Sequence, residues 1–139
     1  MKNLANCKPT EFLKQTVRIK KSLEKWLDDT QIMKIREKMP KIKFIEDGMT
    51  EQEKDKIIRE NRAARRKQQQ ENFSKIFDAM MEENADGTLE LLALVCFVEP
   101  ENIDDHTIDE YLSAITEMMF NEAVIGFFSS LRKLGLLNT

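Results

Sequence analysis

Apolar side chains return every three or four positions through Phe12, Leu13, Val17, Ile19, Leu23, Trp26 and Leu27, the period of an amphipathic helix. Pro9 suits a first helical turn, so the spacing predicts a helix over residues 9–28. Lys14, Arg18, Lys21 and Lys25 follow at steps of four, three and four and share one basic face. Asp28-Asp29-Thr30 reads as the end of this helix. A short helix is expected over 31–38, with Ile32, Ile35 and Met39 on its inner side, before Pro40 disfavours helical geometry. Residues 41–48 read as a linker. Ile42 and Phe44 alternate with Lys41 and Lys43, which permits one short strand, but a lone strand is marginal.

Thr50 with Glu53 three positions on has the spacing of a capping box and opens the next helix. The pattern then runs to about Asn84 without Pro or Gly. Ile57 and Ile58 are apolar, and so are Phe73, Ile76, Phe77, Met80 and Met81. Between them, the 14 residues 59–72 hold no apolar side chain larger than Ala. As helix they span about 21 Å. A helix polar all round stands in solvent, bridges or frays, so 59–72 reads as an arm away from the core or as a segment that orders on binding.

Asp86-Gly87 is a turn signal, and Thr88 can cap the helix after it. Residues 89–98 are apolar on nearly every face, broken only by Glu90, which predicts a central buried helix. A buried strand is the rival reading, disfavoured by the Leu and Ala content and the lack of a partner strand. Glu99-Pro100-Glu101 ends it. Thr107 and Glu110 repeat the capping box ahead of a helix over 108–120, whose apolar pattern comes from Ile108, Tyr111, Leu112, Ile115, Met118 and Met119. Asn121 separates it from a last helix over 122–134, whose apolar surface comes from Val124, Ile125, Phe127, Phe128, Leu131 and Leu134. Gly135 is placed for a left-handed C-cap, with Leu136 able to pack back.

The fold class that follows is all-α: a small helical bundle in the C-terminal half, a long and partly exposed charged helix, and an amphipathic N-terminal helix. The domain reading is 1–49 as N-terminal helical segment and linker, and 50–139 as long helix plus compact C-terminal module. Four Gly and three Pro in 139 residues leave little material for all-β turns.

Charge changes the picture more than composition does. Residues 1–75 carry 20 basic against 12 acidic side chains; residues 76–139 carry 2 against 13. The net charge of -3 hides this split, which predicts attraction between the halves, between copies, or to an outside partner. No secretory signal is visible, the longest apolar run is about ten residues against the roughly 20 of a spanning helix, and the cysteines Cys7 and Cys96 lie far apart. A reduced, cytoplasmic protein away from membranes is expected.

Candidate chemistry is sparse. The acids around His106 (Glu101, Asp104, Asp105 and Asp109) match neither zinc nor calcium ligand spacing and read as charges before a helix N-terminus. Asp28-Asp29, Glu82-Glu83 and Asp104-Asp105 are neighbours that do not share a helix face, so no acid–base pair is evident. There is no phosphate-cradling Gly-rich loop and no nucleophile elbow. The expectation is a protein that is not an enzyme and uses no cofactor. Arg59, Arg62, Arg65 and Arg66 could neutralise phosphates along one helix. Glu60 and Glu71 dilute that patch and no aromatic interleaves it, so a nucleic-acid partner is the secondary reading.

The apolar material points to protein. Met80, Met81, Met118 and Met119 set flexible thioethers beside Phe73, Phe77 and Phe120, a composition suited to adaptable apolar contacts. A module of about 65 residues cannot bury every such side chain in short helices, so some should remain for a client helix or a second copy. Leu23 and Trp26 on the first helix are secondary contact candidates.

The stretches Leu91-Leu92-Ala93-Leu94-Val95-Cys96-Phe97-Val98-Glu99-Pro100, Thr107-Ile108-Asp109-Glu110-Tyr111-Leu112 and Glu122-Ala123-Val124-Ile125-Gly126-Phe127-Phe128 resemble tail assembly chaperones of long-tailed bacteriophages and prophages. Phe12-Leu13-Lys14-Gln15-Thr16-Val17-Arg18-Ile19 fits the same group. The resemblance covers about two thirds of the chain, chiefly residues 73–137, and the 59–72 stretch has no counterpart in it. It implies a non-enzymatic chaperone that coats the long helical tape measure protein until tail tube subunits polymerise around it. A structural tail or connector subunit is a further alternative.

Overall fold

The structure is a computed structural model that describes residues 1–135. All regular structure among the described residues is helical. The elements are α1 (Pro9–Thr30), α2 (Ile32–Glu37), α3 (Glu51–Asp78) running into a π-helical turn (Ala79–Glu83), α4 (Ala85–Val95), a 3-10 turn (Pro100–Asp105), α5 (Ile108–Met119) and α6 (Glu122–Lys133). The expected all-α class is observed. Residues 42–44 are extended but join no ladder, and the 89–95 stretch is helix, not strand. No helix among the described residues is long and apolar enough to cross a membrane.

The chain forms two compact units, Met1–Trp26 with Asp86–Thr139, and Leu27–Ala85. Sequence patterning had placed a boundary near residue 49 instead. The difference comes from contacts distant in sequence, which local patterning does not encode. In the first unit the Gln15 side-chain amide donates to the Leu94 carbonyl at 2.5 Å, 79 positions away. Arg18 pairs with Glu99 at 3.4 Å, and Phe12 meets Phe127 edge-on with centroids 5.1 Å apart. Asn3, wholly buried, donates to Glu117 at 3.2 Å while its oxygen takes the Ala5 N–H at 2.7 Å.

The core of this unit is thin. Cys96, Tyr111 and Ala114 are buried together, with Leu92, Val98, Ile103 and Ile115 packed around them. The Tyr111 hydroxyl donates to the Ile103 carbonyl at 2.6 Å. Burial pushes the Cys96 thiol up to about 11, which marks it as a packing group. Leu89, expected inside a central buried helix, is exposed.

Helix ends follow local chemistry, not always as the sequence suggests. The hydroxyls of Thr50 and Thr107 accept the Glu53 and Glu110 N–H groups at 3.2 and 3.3 Å, as the capping spacing requires. The Glu110 carboxylate completes no box; it engages His106 Nδ1 at 2.7 Å. Asn121 caps α6 by accepting the Val124 N–H at 3.1 Å. Asp28-Asp29-Thr30 does not stop α1, which runs through Thr30. The helix stops when Gln31 turns left-handed at φ 56 with its N–H on the Leu27 carbonyl at 3.0 Å. Asp86-Gly87 lies inside the first turn of α4, where unpaired N–H groups are normal and an acid is favoured. Thr88 is therefore not a cap, and its hydroxyl receives the Trp26 indole N–H at 2.9 Å.

At the far end of α4, Val98 N–H reaches the Ala93 carbonyl at 2.9 Å and Phe97 N–H the Leu94 carbonyl at 3.3 Å. That is a Schellman closure with Phe97, not Gly, in the left-handed position at φ 56. Gly135 adopts the expected left-handed cap at φ 74, while the Leu136 contact lies outside the described residues.

Candidate protein-binding surfaces

In the second unit, α3 is not polar all round in effect. Asn61, Gln68 and Asn72 recur on one face at steps of seven and four, and that face receives the extended strap over residues 38–45. Asn61 accepts the Lys43 N–H at 2.9 Å and donates to the Lys43 carbonyl at 2.8 Å, pairing with both backbone groups of one residue. Lys43 Nζ meets Glu60 at 2.6 Å, which holds the Glu60 carboxyl below its usual range. Asn72, buried, donates to the Lys38 carbonyl at 3.0 Å and accepts from Gln68 at 2.8 Å. The stretch read as an arm away from the core or a segment that orders on binding is thus joined to the strap by amide-to-backbone hydrogen bonds. The signal available was asparagine, a poor helix former, recurring inside a helix on one face.

The strap's lysines make this testable. Replacing Asn61 with Ala leaves the Lys43 backbone groups to water and removes two hydrogen bonds, a loss of about 1–3 kcal/mol of local stability. Trypsin should then cut after Lys41 or Lys43 about tenfold faster than in the wild type, as read by timed digestion and mass spectrometry. An unchanged rate would show that the clamp does not hold the strap.

The opposite face of α3 carries the predicted contact residues. Phe73, Phe77 and Met81 are 70%, 50% and 48% exposed, and the two rings lie 6.4 Å apart. Met80 is half-buried. The π-helical turn carries Met80 and Met81, and the Asn84 side chain donates to the Ala79 carbonyl at 2.9 Å within it. Outside the predicted set, the strap exposes Met39, Phe44 and Ile45; Met39 had been expected inward, but its neighbour Pro40 turns the chain out of the helix.

The four arginines divide. Arg59, Arg62 and Arg66 follow at steps of three and four and share the outer face, all exposed. Arg65 lies about 100° round the helix from Arg66, and it lines a cleft under the strap with Arg36, Met39 and Gln68. They do not form one phosphate track.

In the first unit, Phe120 and Met119 are 78% and 60% exposed, and Met118 is half-buried. Ile108 and Leu112 lie with Met119 on an exposed stripe of α5. Tyr111, Ala114 and half-buried Met118 take the inward face instead, so only part of this broad apolar surface is covered. Leu23 is exposed, whereas Trp26 is half-buried with its N–H committed to Thr88. An open apolar groove of about 380 Å³ runs between the N-terminal segment and α6, lined by Leu4, Cys7, Phe12, Leu13, Val124 and Phe127. Partial burial raises the Cys7 thiol, so it is not an activated nucleophile.

Chemically, these surfaces offer exposed rings and thioethers at helical spacing, flanked by charge. Among the described residues no group of three or more His, Cys, Asp or Glu converges on a metal position. Comparison with protein-family models, curated proteins and solved structures finds no match to this chain.

Proposed function

We propose that this chain is a non-enzymatic tail assembly chaperone of a long-tailed phage or prophage, acting in the cytoplasm of the bacterial host. Its client is the tape measure protein, with tail tube protein as the partner that displaces it. The observation that carries the reading is the exposure of Phe73, Phe77, Met81, Met119 and Phe120, large apolar side chains left uncovered by a single copy. Helical stripes of this kind accept the apolar face of an amphipathic client helix. Many weak contacts suit a client that must later be surrendered, because release then depends on a fast off-rate.

A second reading, a small nucleic-acid-associated regulator, is favoured by one observation. Arg59, Arg62 and Arg66 lie exposed on one face and, among the described residues, make no ion pair. Salt separates the two. Three phosphate contacts predict a loss of about 40-fold in affinity between 50 and 200 mM salt. Client binding through apolar faces should change by less than about threefold. A photo-crosslinking residue at position 73 or 120, in cells assembling tails, should yield an adduct with the tape measure protein. The adduct should survive replacement of Arg59, Arg62, Arg65 and Arg66 by Gln. Nucleic-acid adducts, or loss of binding in the Gln variant, would contradict the chaperone reading. Presence of the chain in finished particles would favour a structural tail subunit instead.

A further inference from the structure

The outer face of α3 changes character along its length. Arg59, Arg62 and Arg66 come first, beside Lys67; the exposed Phe73 and Phe77 follow; Met81 lies in the π-helical turn, beside the acids Glu82 and Glu83. Among the described residues, none of Arg62, Arg66, Lys67, Asp78, Glu82 and Glu83 is ion-paired. A basic block and an acidic block thus flank one apolar stripe, both exposed and both without a counter-charge. We propose that this face pairs with the same face of a second copy of the chain, antiparallel, about a two-fold axis at Lys75.

The register follows from the spacing. Phe73 and Phe77 are equidistant from Lys75, so the axis sets each against the other copy's counterpart. Lys67 lies eight residues before Lys75 and Glu82 seven after it, so the two levels match to within roughly 2 Å at the rise of a helix. Arg66 and Glu83 are level too, but successive residues stand about 100° apart round a helix, so the facing pair is Lys67 with Glu82. Each copy then sets Lys67 level with the partner's Glu82, twice by symmetry. A parallel pair would set Arg66 and Lys67 against their own copies, which charge repulsion opposes. That is why the occupant is a second copy in the antiparallel sense.

The paired surface is small. Few large side chains per copy fall short of the roughly 800 Å² per partner of a stable interface. The dimer is therefore weak, with a Kd on the order of 10–100 µM. It stands without the chaperone reading, because no client takes part. A client helix seated on Phe73 and Phe77 competes with the second copy.

Sedimentation equilibrium of the full chain, from about 1 to 500 µM, tests this. The mass should rise toward twice that of one chain. The double variants Arg66→Glu/Lys67→Glu and Glu82→Lys/Glu83→Lys should each weaken association at least about tenfold, since like charges now face each other. Mixed in equal amounts, the two variants are complementary at both contacts and should restore the dimer. Phe73→Ser/Phe77→Ser should abolish it. All of these positions are exposed, so circular dichroism should be unchanged in every variant. A chain monomeric throughout that range overturns the proposal, as does a dimer indifferent to both charge variants or a mixture that stays monomeric. A monomer that takes up an added apolar amphipathic peptide at Phe73 also overturns it, by giving the face to a client alone.

Discussion

Replacing Tyr111 with Ala should cost the first unit about 3–5 kcal/mol, the usual loss when a large buried ring is deleted. Tyr111 is 2% exposed and fills the centre of the cluster with Cys96 and Ala114. Two of its neighbours, Cys96 and Ala114, are too small to fill the space, and Leu92, Val98, Ile103 and Ile115 border the cluster from partly buried positions. Natural domains are stable by about 5–15 kcal/mol, so the variant should stand near the edge of unfolding at room temperature. Tyr111→Phe keeps the ring and loses only the hydrogen bond to the Ile103 carbonyl, a cost of about 1 kcal/mol. Urea denaturation followed by circular dichroism, with both variants beside the wild type, separates the two contributions. A loss under about 1 kcal/mol for Tyr111→Ala would mean that this cluster is not what holds the unit together.

How much of this was legible in the sequence depends on how far apart the interacting residues lie. The existence of every α-helix among the described residues was readable, because apolar spacing and the Thr50 and Thr107 caps are local signals; the 3-10 turn at Pro100–Asp105 was not. Two ends differ from the pattern: Asp86-Gly87 falls in the first turn of α4, where an acid is favoured, and α1 runs on through Asp28-Asp29-Thr30 although acids are disfavoured in a last turn. The two-unit division was not readable. It rests on pairs such as Gln15 with Leu94 and Asn3 with Glu117, which no window of sequence contains. The strap was missed because Asn61 and Asn72 do with hydrogen bonds what apolar residues do elsewhere, and a hydrophobic pattern does not register amides.

The candidate surface shows the same limit. Phe73 and Phe77 are one turn apart, so their shared face could be read directly. Which face of α5 points inward could not. Ile108, Leu112 and Met119 form as good an apolar stripe as Tyr111, Ala114 and Met118, and only the neighbouring packing decides between them. Trp26 belongs to the apolar stripe of α1, and that stripe does not reveal that its indole N–H is committed to Thr88.

The surface reading stands or falls on what the exposed side chains hold. Phe73, Phe77, Met119 and Phe120 are replaced together with Ser, and the chain is co-produced with the tape measure protein of the same tail. These positions contribute little to the folded cores, because each is at least half exposed, so the helical content should be unchanged. Each large apolar side chain removed from a client contact is worth about 1.5–3 kcal/mol, so affinity should fall by far more than about tenfold. Arg66→Glu/Lys67→Glu serves as the control, since it disturbs pairing between copies but leaves every apolar side chain in place. The measurement is the fraction of tape measure protein left in the supernatant. The wild type and the Arg66→Glu/Lys67→Glu variant should keep most of it soluble, and the Ser variant should leave most of it in the pellet. A Ser variant that keeps the client soluble as well as the wild type would contradict the account.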